Sequence, residues 1–491
     1  MNQSRKWWIL SVTSLGSLLS ALNFSTLIIA LPDLLKGLHA SLLQAMWVML
    51  SYMVAQTVMV LMAGSLADRF GRKRIYIAGM MLFTVVSLVS GFADGAPLLI
   101  ILRILQGVGG AMVMANSTAI VADAFPREEL GKALGINIMV VAVGQIIGPV
   151  LGGWLTTAFG WEWTFWFNVP FGVIGVVWGM MVMGVKDDKI AAPKTGGLDR
   201  GGVITYVISI TGLLIALTWG PIQSWISPVV WISGAAFIVL FPVFLVCEKK
   251  HPNALLHLPL FTNRIFSFGI VSATLNAIAR MAVMFMLIFY FQGALEKDAL
   301  VAGIMTIPLA AGMLVVSPLA GSLGDKYGET MPATLGLFLS IFGLAGLALD
   351  TGLSTPFWHL AVYMTIISIG SGLFNSPNSS SIMNAAGAKY RGEASGIRSL
   401  TTNMGMMLSI AFSMPIVTHS IPHEAMLAIF SGTQVGMNGD KSSLGGFISG
   451  LHAVFWFMAA LMALAAVMSY LRSNKRSQSL GTGQGQSVHP K

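Results

Sequence analysis

The chain has 491 residues, 55% of them hydrophobic and only 10% charged, with a formal net charge of +9. Soluble domains carry about 25% charged residues, so this composition excludes an ordinary water-soluble fold and makes lipid part of the solvent. Cys247 is the only cysteine, which excludes an intrachain disulfide and suits apolar filler at a helix end.

Apolar runs of about 20 residues are long enough to cross the hydrocarbon core as helices. Helices also satisfy every backbone group where water is absent. Fourteen spans are predicted, at 8–31, 43–64, 75–93, 97–121, 133–158, 164–184, 202–219, 228–247, 265–291, 299–320, 331–349, 357–382, 394–417 and 447–471. The first is too long for a signal-peptide core and reads as an uncleaved span. Three connections are longer than the rest, at 185–201, 248–264 and 418–446. The segment 473–491, rich in Ser, Gly and Gln, is predicted to be disordered.

Lys and Arg set the orientation. With the amino terminus inside, the inner segments hold about 23 of the 28 basic residues. Only Lys36, Lys297 and Lys441 fall in outer loops, and Arg103 and Arg280 fall within spans. Both termini are therefore expected in the cytoplasm of a multi-pass protein of the cytoplasmic membrane. The basic groups then face anionic headgroups, so nucleic acid is not an expected partner.

A charged stretch, Gly64-Ser65-Leu66-Ala67-Asp68-Arg69-Phe70-Gly71-Arg72-Lys73-Arg74, lies between the second and third spans. A shortened echo, Gly321-Ser322-Leu323-Gly324-Asp325-Lys326-Tyr327-Gly328-Glu329, follows the tenth. Such a repeat at matching points indicates two related bundles. The expected plan is a six-helix bundle over 1–184, a two-helix insert with flanking loops over 185–264, a second six-helix bundle over 265–472 and the tail 473–491. The insert holds no intramembrane charge and reads as a spacer.

The charged stretch resembles the loop signature of the major facilitator superfamily, and three further sites are similar to the fourteen-helix drug:proton antiporter family within it. These are Arg103-Ile104-Leu105-Gln106-Gly107-Val108-Gly109-Gly110 on the fourth span, Gly144 to Gly153 with Pro149 on the fifth, and Trp161-Glu162-Trp163 with Asn168-Val169-Pro170 at the sixth. The resemblance implies an all-α major facilitator fold of 14 transmembrane helices arranged 6+2+6. It implies a gate in which Asp68, with Arg69 and Arg72, makes and breaks ion pairs at a Gly64 and Gly71 turn, echoed by Asp325. It also implies an exporter motif in which Gly144, Gly148, Gly152 and Gly153 permit close helix contact and Pro149 bends the helix.

One departure matters. Where the family places an Asp nine residues before Pro32, this chain has Asn23. Asn does not exchange a proton in the accessible range, so no proton relay runs through it. No Asp or Glu falls mid-span; Asp33, Asp123 and Glu393 lie near span ends. Counting about 1.5 Å per residue from the outer ends puts Asn23 at ~12 Å, Arg103 at ~9 Å and Arg280 at ~16 Å depth, which suits a shared cavity. Embedded charge is costly and usually lines a cavity, although an Arg that binds carbonyls is the bland alternative. Asn375 and Asn378, with Ser376 and Ser379 around Pro377, share a helix face; Asn276 and Asn403 join them as cavity candidates, beside Gln106. Interhelical glue explains these amides equally well, and the same holds for Gln56, Gln145, Tyr52 and Trp47. Most of the 31 Met are expected in ordinary apolar roles.

No enzyme signature is present. His423-Glu424 lacks the second His of a zinc helix, and neither a Gly-x-Ser-x-Gly elbow nor a phosphate loop occurs. The expectation is a monomeric secondary transporter, without cofactor or metal, exporting small organic molecules by alternating access, with the proton as candidate coupling ion. Two alternatives stay open: an anion or metabolite carrier, favoured by embedded Arg without embedded acid, and a transport-dead receptor or scaffold. Substrate sign follows from charge: at about 4 Å and an effective ε near 20, a unit charge contributes several kcal/mol. Neutral or anionic substrates are expected over permanent cations.

Overall fold

The computed structural model describes residues 3–38, 40, 42–184, 200–222, 225–250, 256, 258–297, 299–387, 390–419 and 441–472. The segment 473–491 and most of the connection 418–446 lie outside them. The described residues are all-helical. The helices are α1 (Gln3–Gly37), α2 (Leu42–Phe70), α3 (Arg72–Ser90), α4 (Ala96–Ala124), α5 (Arg127–Phe159), α6 (Trp163–Trp166), α7 (Asn168–Met183), α8 (Arg200–Ile222) and α9 (Pro228–Lys250). They continue as α10 (Arg264–Phe289), α11 (Ala299–Met305), α12 (Pro308–Tyr327), α13 (Thr330–Asp350), α14 (Phe357–Ala386), α15 (Arg391–Thr418) and α16 (Lys441–Leu471). Short breaks divide the sixth predicted span into α6 and α7 and the tenth into α11 and α12. Among the described residues, thirteen spans are long and apolar enough to cross a membrane, and Gly201–Leu217 within α8 is a shorter apolar one.

The outward faces stay apolar: Met181, Ile238 and Phe342 are 74%, 71% and 70% exposed. Such side chains find their solvent in lipid. Helix association then depends on close packing and internal hydrogen bonds rather than on water exclusion. Helices α1–α7 pack among themselves, as in α2 on α4 and α1 on α5, and form an amino half. Helices α10–α16 do likewise, as in α13 on α14 and α10 on α15, and form a carboxy half. The halves meet along two seams, α5 against α12 and α2 against α15. Helices α8 and α9 pair with each other, and α8 leans on α2 and α15 beside the second seam.

The two charged repeats differ from the extended turn expected of them. Helix α2 runs through Asp68 and Arg69 to Phe70, and the chain breaks only at Gly71, with φ 100°. In the echo, α12 runs through Asp325 to Tyr327 and breaks at Gly328, with φ 91°. Only glycine takes that backbone at little cost, so each repeat places one glycine between two nearly continuous helices. Gly64 is helical, and its role is proximity: a Cβ there would lie 2.6 Å from the Gly392 carbonyl oxygen across the α2/α15 seam.

The first and last described helices begin and end, respectively, at the same end of the molecule. Lys6 of α1 pairs with Glu129 at 2.6 Å beside the start of α5. Arg472, just past α16, donates to the Glu329 carbonyl at 3.1 Å and to Asn378 Oδ1. Burial pushes the Arg472 guanidinium down to about 10, opposed by nearby Glu329, so it stays charged at neutral pH.

Candidate functional site

A cavity of about 280 Å³ lies between the halves. The amino half presents short hydroxyls and an amide from three helices: Ser17, Ser20 and Ser25 of α1, Ser117 and Thr118 of α4, and Asn137 of α5. The serines of α1 recur at helical spacing and so share one face. Ser17 ties that wall together, lying 3.2 Å from Ser117 Oγ and donating to Asn137 Oδ1 at 3.2 Å. The carboxy half presents Arg280 of α10, Asn375 of α14, and Arg398, Ser399, Thr402 and Asn403 of α15. Between these polar faces stand Met53, Met114, Met281, Met284, Met313 and Met406. Six methionines thus line the cavity, beyond the ordinary apolar role expected for most of them, and thioethers adapt to ligand shape.

Charge in the cavity has one sign. Arg280 and Arg398 are the charged lining groups among the described residues, and no carboxylate joins them. Arg280 approaches Met313 Sδ at 3.8 Å. Arg398 Nε and Asn403 Nδ2 are buried donors that find no protein acceptor among the described residues. Arg398 went unnoticed in the sequence because it sits near a helix start and reads as an inner-loop basic residue. The signal was present in the stripe 398, 399, 402, 403 and 406, where polar and Met residues recur at helical spacing.

Arg103 is placed differently from the expectation. It is 1% exposed and stands behind the wall rather than in it. Its Nε donates to the Val48 carbonyl at 3.0 Å, and its Nη1 to Gln106 Oε1 at 2.5 Å and Asn23 Oδ1 at 3.3 Å. Gln106 Nε2 continues to Ser87 Oγ at 2.7 Å. The guanidinium lies 4.4 Å from the centroid of the Tyr52 ring, and Tyr52 in turn lines the cavity. Asn23, Arg103 and Gln106 therefore form one buried network that reaches the cavity through Tyr52. Tyr52 also accepts from Gln56 Nε2 at 3.1 Å, and Gln56 is a lining group too.

The expected polar cluster on the carboxy half also divides. Arg280, Asn375 and Asn403 line the cavity. Asn378 does not: it donates to the Gly269 carbonyl at 3.1 Å and accepts from Arg472, joining α14, α10 and the end of α16. Asn276 is 2% exposed and lies off the cavity. His359 pairs with Asp350 at 2.5 Å and His452 meets the Thr351 carbonyl at 2.6 Å, both at the end opposite the termini.

On the terminal side of the cavity the halves are sealed together. Asp325 Oδ1 accepts the Gly131 N–H at 2.9 Å, and Oδ2 accepts that of Lys132 at 3.0 Å. The carboxylate so docks on the second turn of α5 in the other half, near the positive end of that helix. Ser376 donates to the Gly131 carbonyl at 2.8 Å. A Cβ on Gly131 would stand 2.6 Å from the Gly321 carbonyl oxygen, so the two backbones touch. At the α2/α15 seam, Arg391 donates to the Ala122 carbonyl at 2.5 Å and pairs with Asp123 at 3.2 Å. Arg72 pairs with the other oxygen of Asp123 at 2.5 Å. Arg69 is half-buried in the last turn of α2. The side chains of Asp68, Asp33, Gln145 and Pro149 lie outside the described residues.

The glycines of the fifth span face α1. A Cβ on Gly144 would meet Ala21 Cβ at 2.9 Å, one on Gly148 would overlap Ser25, and one on Gly152 would meet the Thr26 carbonyl oxygen at 2.6 Å. Gly153 is half-buried beside them.

A bundle of membrane helices around a sealed, ligand-sized cavity is the build of a solute carrier, and comparison with known proteins agrees. The sequence profile of the Major Facilitator Superfamily matches residues 13–410 and 271–490. The chain belongs to that superfamily of transporters and is not an enzyme. It is 28% identical to the riboflavin transporter RibZ of Clostridioides difficile over 479 residues, 97% of this chain and 99% of that one. It is 28% identical to the tetracenomycin C resistance and export protein of Streptomyces glaucescens over 421 residues, 83% of this chain and 75% of that one. Its fold matches the crystal structure of the human organic anion transporter MFSD10 with a TM-score of 0.63 at 14% identity, over 94% of this chain and 99% of that one.

Proposed function

We propose that this transporter exports small organic molecules across the cytoplasmic membrane by alternating access, with both termini in the cytoplasm. In this reading two six-helix bundles rock about the cavity, and the α8–α9 pair serves as a spacer beside one seam. The observation that carries it is the cavity between the halves, closed on its terminal side by a few exchangeable contacts around Asp325, Asp123 and Arg391. A seal made of hydrogen bonds and one ion-pair cluster is cheap to break when ligand redistributes the two states. A single chain encloses the whole cavity, so a monomer suffices. The basic bias of the terminal side supports the cytoplasmic placement.

Coupling to protons, in this proposal, runs through the seal. The described carboxylates where the halves meet include Asp123, Asp325 and Glu393, whereas the described cavity lining holds none. Riboflavin and tetracenomycin C are the first solutes to test, given the relatives that carry or export them. The experiment is uptake into everted vesicles containing the purified protein, with and without an imposed proton gradient. Gradient-driven uptake of an organic solute is expected. Equal uptake in protein-free vesicles for every solute tested would sink the transport reading, and gradient-independent uptake would remove the proton.

A further inference from the structure

We propose that the cavity is built for an organic oxyanion, a carboxylate or phosphate held by Arg280 and Arg398, with the uncharged body of the molecule against the hydroxyl-lined amino half. The inference rests on the carrier reading and names its substrate class.

Three observations converge. First, the two lining cations sit on α10 and α15, which pack on each other, while the described amino-half lining is uncharged. The cavity is therefore polarised across its width. Second, among the described lining residues, the buried donors without a protein acceptor fall on this side. Arg398 Nε and Asn403 Nδ2 lie five residues apart on α15, and both residues face the cavity. Asn403 is 4% exposed, so little solvent offsets its bare donor. Buried donors are normally satisfied, and an anionic acceptor supplies the missing partner for both. Third, Asn375, Ser399 and Thr402 add neutral donors around the two guanidinium groups. Guanidinium forks match the planar oxygens of carboxylate and the tetrahedral oxygens of phosphate, and no acid is among the described lining residues. A permanent cation meets like charge on one side and, among the described lining residues, no carboxylate to neutralise it on the other.

Arg103 does not share this task. Its Nε and Nη1 are committed to Val48, Gln106 and Asn23, and the Tyr52 ring stands between its guanidinium and the cavity. The sign of the substrate is thus decided on the carboxy half, by residues that move with α10 and α15.

The test uses the full chain in proteoliposomes and three probes of modest size: 7-methoxycoumarin-4-acetate, 4-methylumbelliferyl phosphate and ethidium. Wild type is expected to move at least one of the two anions roughly 10-fold faster than ethidium, and the preferred anion identifies carboxylate or phosphate. Arg280→Gln and Arg398→Gln are each expected to lower anion movement about 10-fold or more. Arg398→Lys keeps the charge and is expected to retain more anion movement than Arg398→Gln. Ethidium carried as fast as both anions overturns this inference alone. So does anion movement within about twofold of wild type in both glutamine variants. If wild type melts as a folded protein yet moves none of the three probes, the carrier reading falls together with this inference.

Discussion

Asp325 and Gly131 belong to opposite halves, yet the Asp325 carboxylate accepts the Gly131 N–H at 2.9 Å near the start of α5. The echo of the charged repeat is thus one of the contacts that join the halves, while in the first repeat Arg72 turns to Asp123 within its own half and Arg391 bridges from the other.

Removing this contact should loosen the seal. Asp325→Asn keeps the shape but loses the charge and one of two acceptors. Charge-assisted hydrogen bonds contribute about 1.5–3 kcal/mol, which shifts the sealed state by roughly 10- to 100-fold. In a Cys247→Ser background, Ser317→Cys reports the seal, because Ser317 is fully buried against Gly135. Labelling from the terminal side should accelerate in the Asp325→Asn protein. An unchanged rate would show that Asp325 is not a latch.

In the first repeat, Asp68→Asn should leave membrane insertion intact and abolish turnover. Full transport by a well-expressed Asp68→Asn protein would refute a gating role for that carboxylate.

Gly152→Leu should cost stability. The added side chain enters where the Thr26 carbonyl lies 2.6 Å from the Cβ position, so α1 and α5 must separate. Overpacking of this kind costs about 1–3 kcal/mol. Thermal unfolding in detergent should show a lowered Tm and reduced yield. A Tm equal to wild type would mean that the α1–α5 contact yields easily.

Arg103→Ala should damage folding more than transport by each folded molecule. It strands acceptors on Gln106, Asn23 and Val48 in a buried site, at a cost of about 3 kcal/mol. Arg103→Lys should rescue poorly, because one ammonium does not reproduce the fork. Normal folded yield with transport abolished would place Arg103 at the substrate after all.

Asn23→Asp should not create a cation exporter. The new carboxylate would arise 3.3 Å from Arg103 Nη1 and be neutralised there, behind Tyr52. Ethidium export should stay within about twofold of wild type, since paired charge projects little field. A large gain in ethidium export would show that position 23 acts directly on the substrate.

The sequence alone determined much of this molecule. Span number, the 6+2+6 spacing of the charged repeats and the family resemblance rest on helix length, hydropathy and local motifs, which are properties of consecutive residues. The glycine run 144–153 likewise announces close packing by its lack of side chains, although only the fold says that α1 is its neighbour. The site divided where rotation about a helix axis matters. Arg103 and Arg280 look alike in sequence, each a lone charge in an apolar run, yet one is consumed by Val48, Asn23 and Gln106 while the other faces the cavity. Arg398 looked like a loop cation, and docking of α15 against α2 and α10 turned it inward. Which face of a helix meets a cavity is set by its neighbours on every side, and those neighbours come from distant parts of the chain; that is why the tertiary structure alone decided which arginines face the cavity.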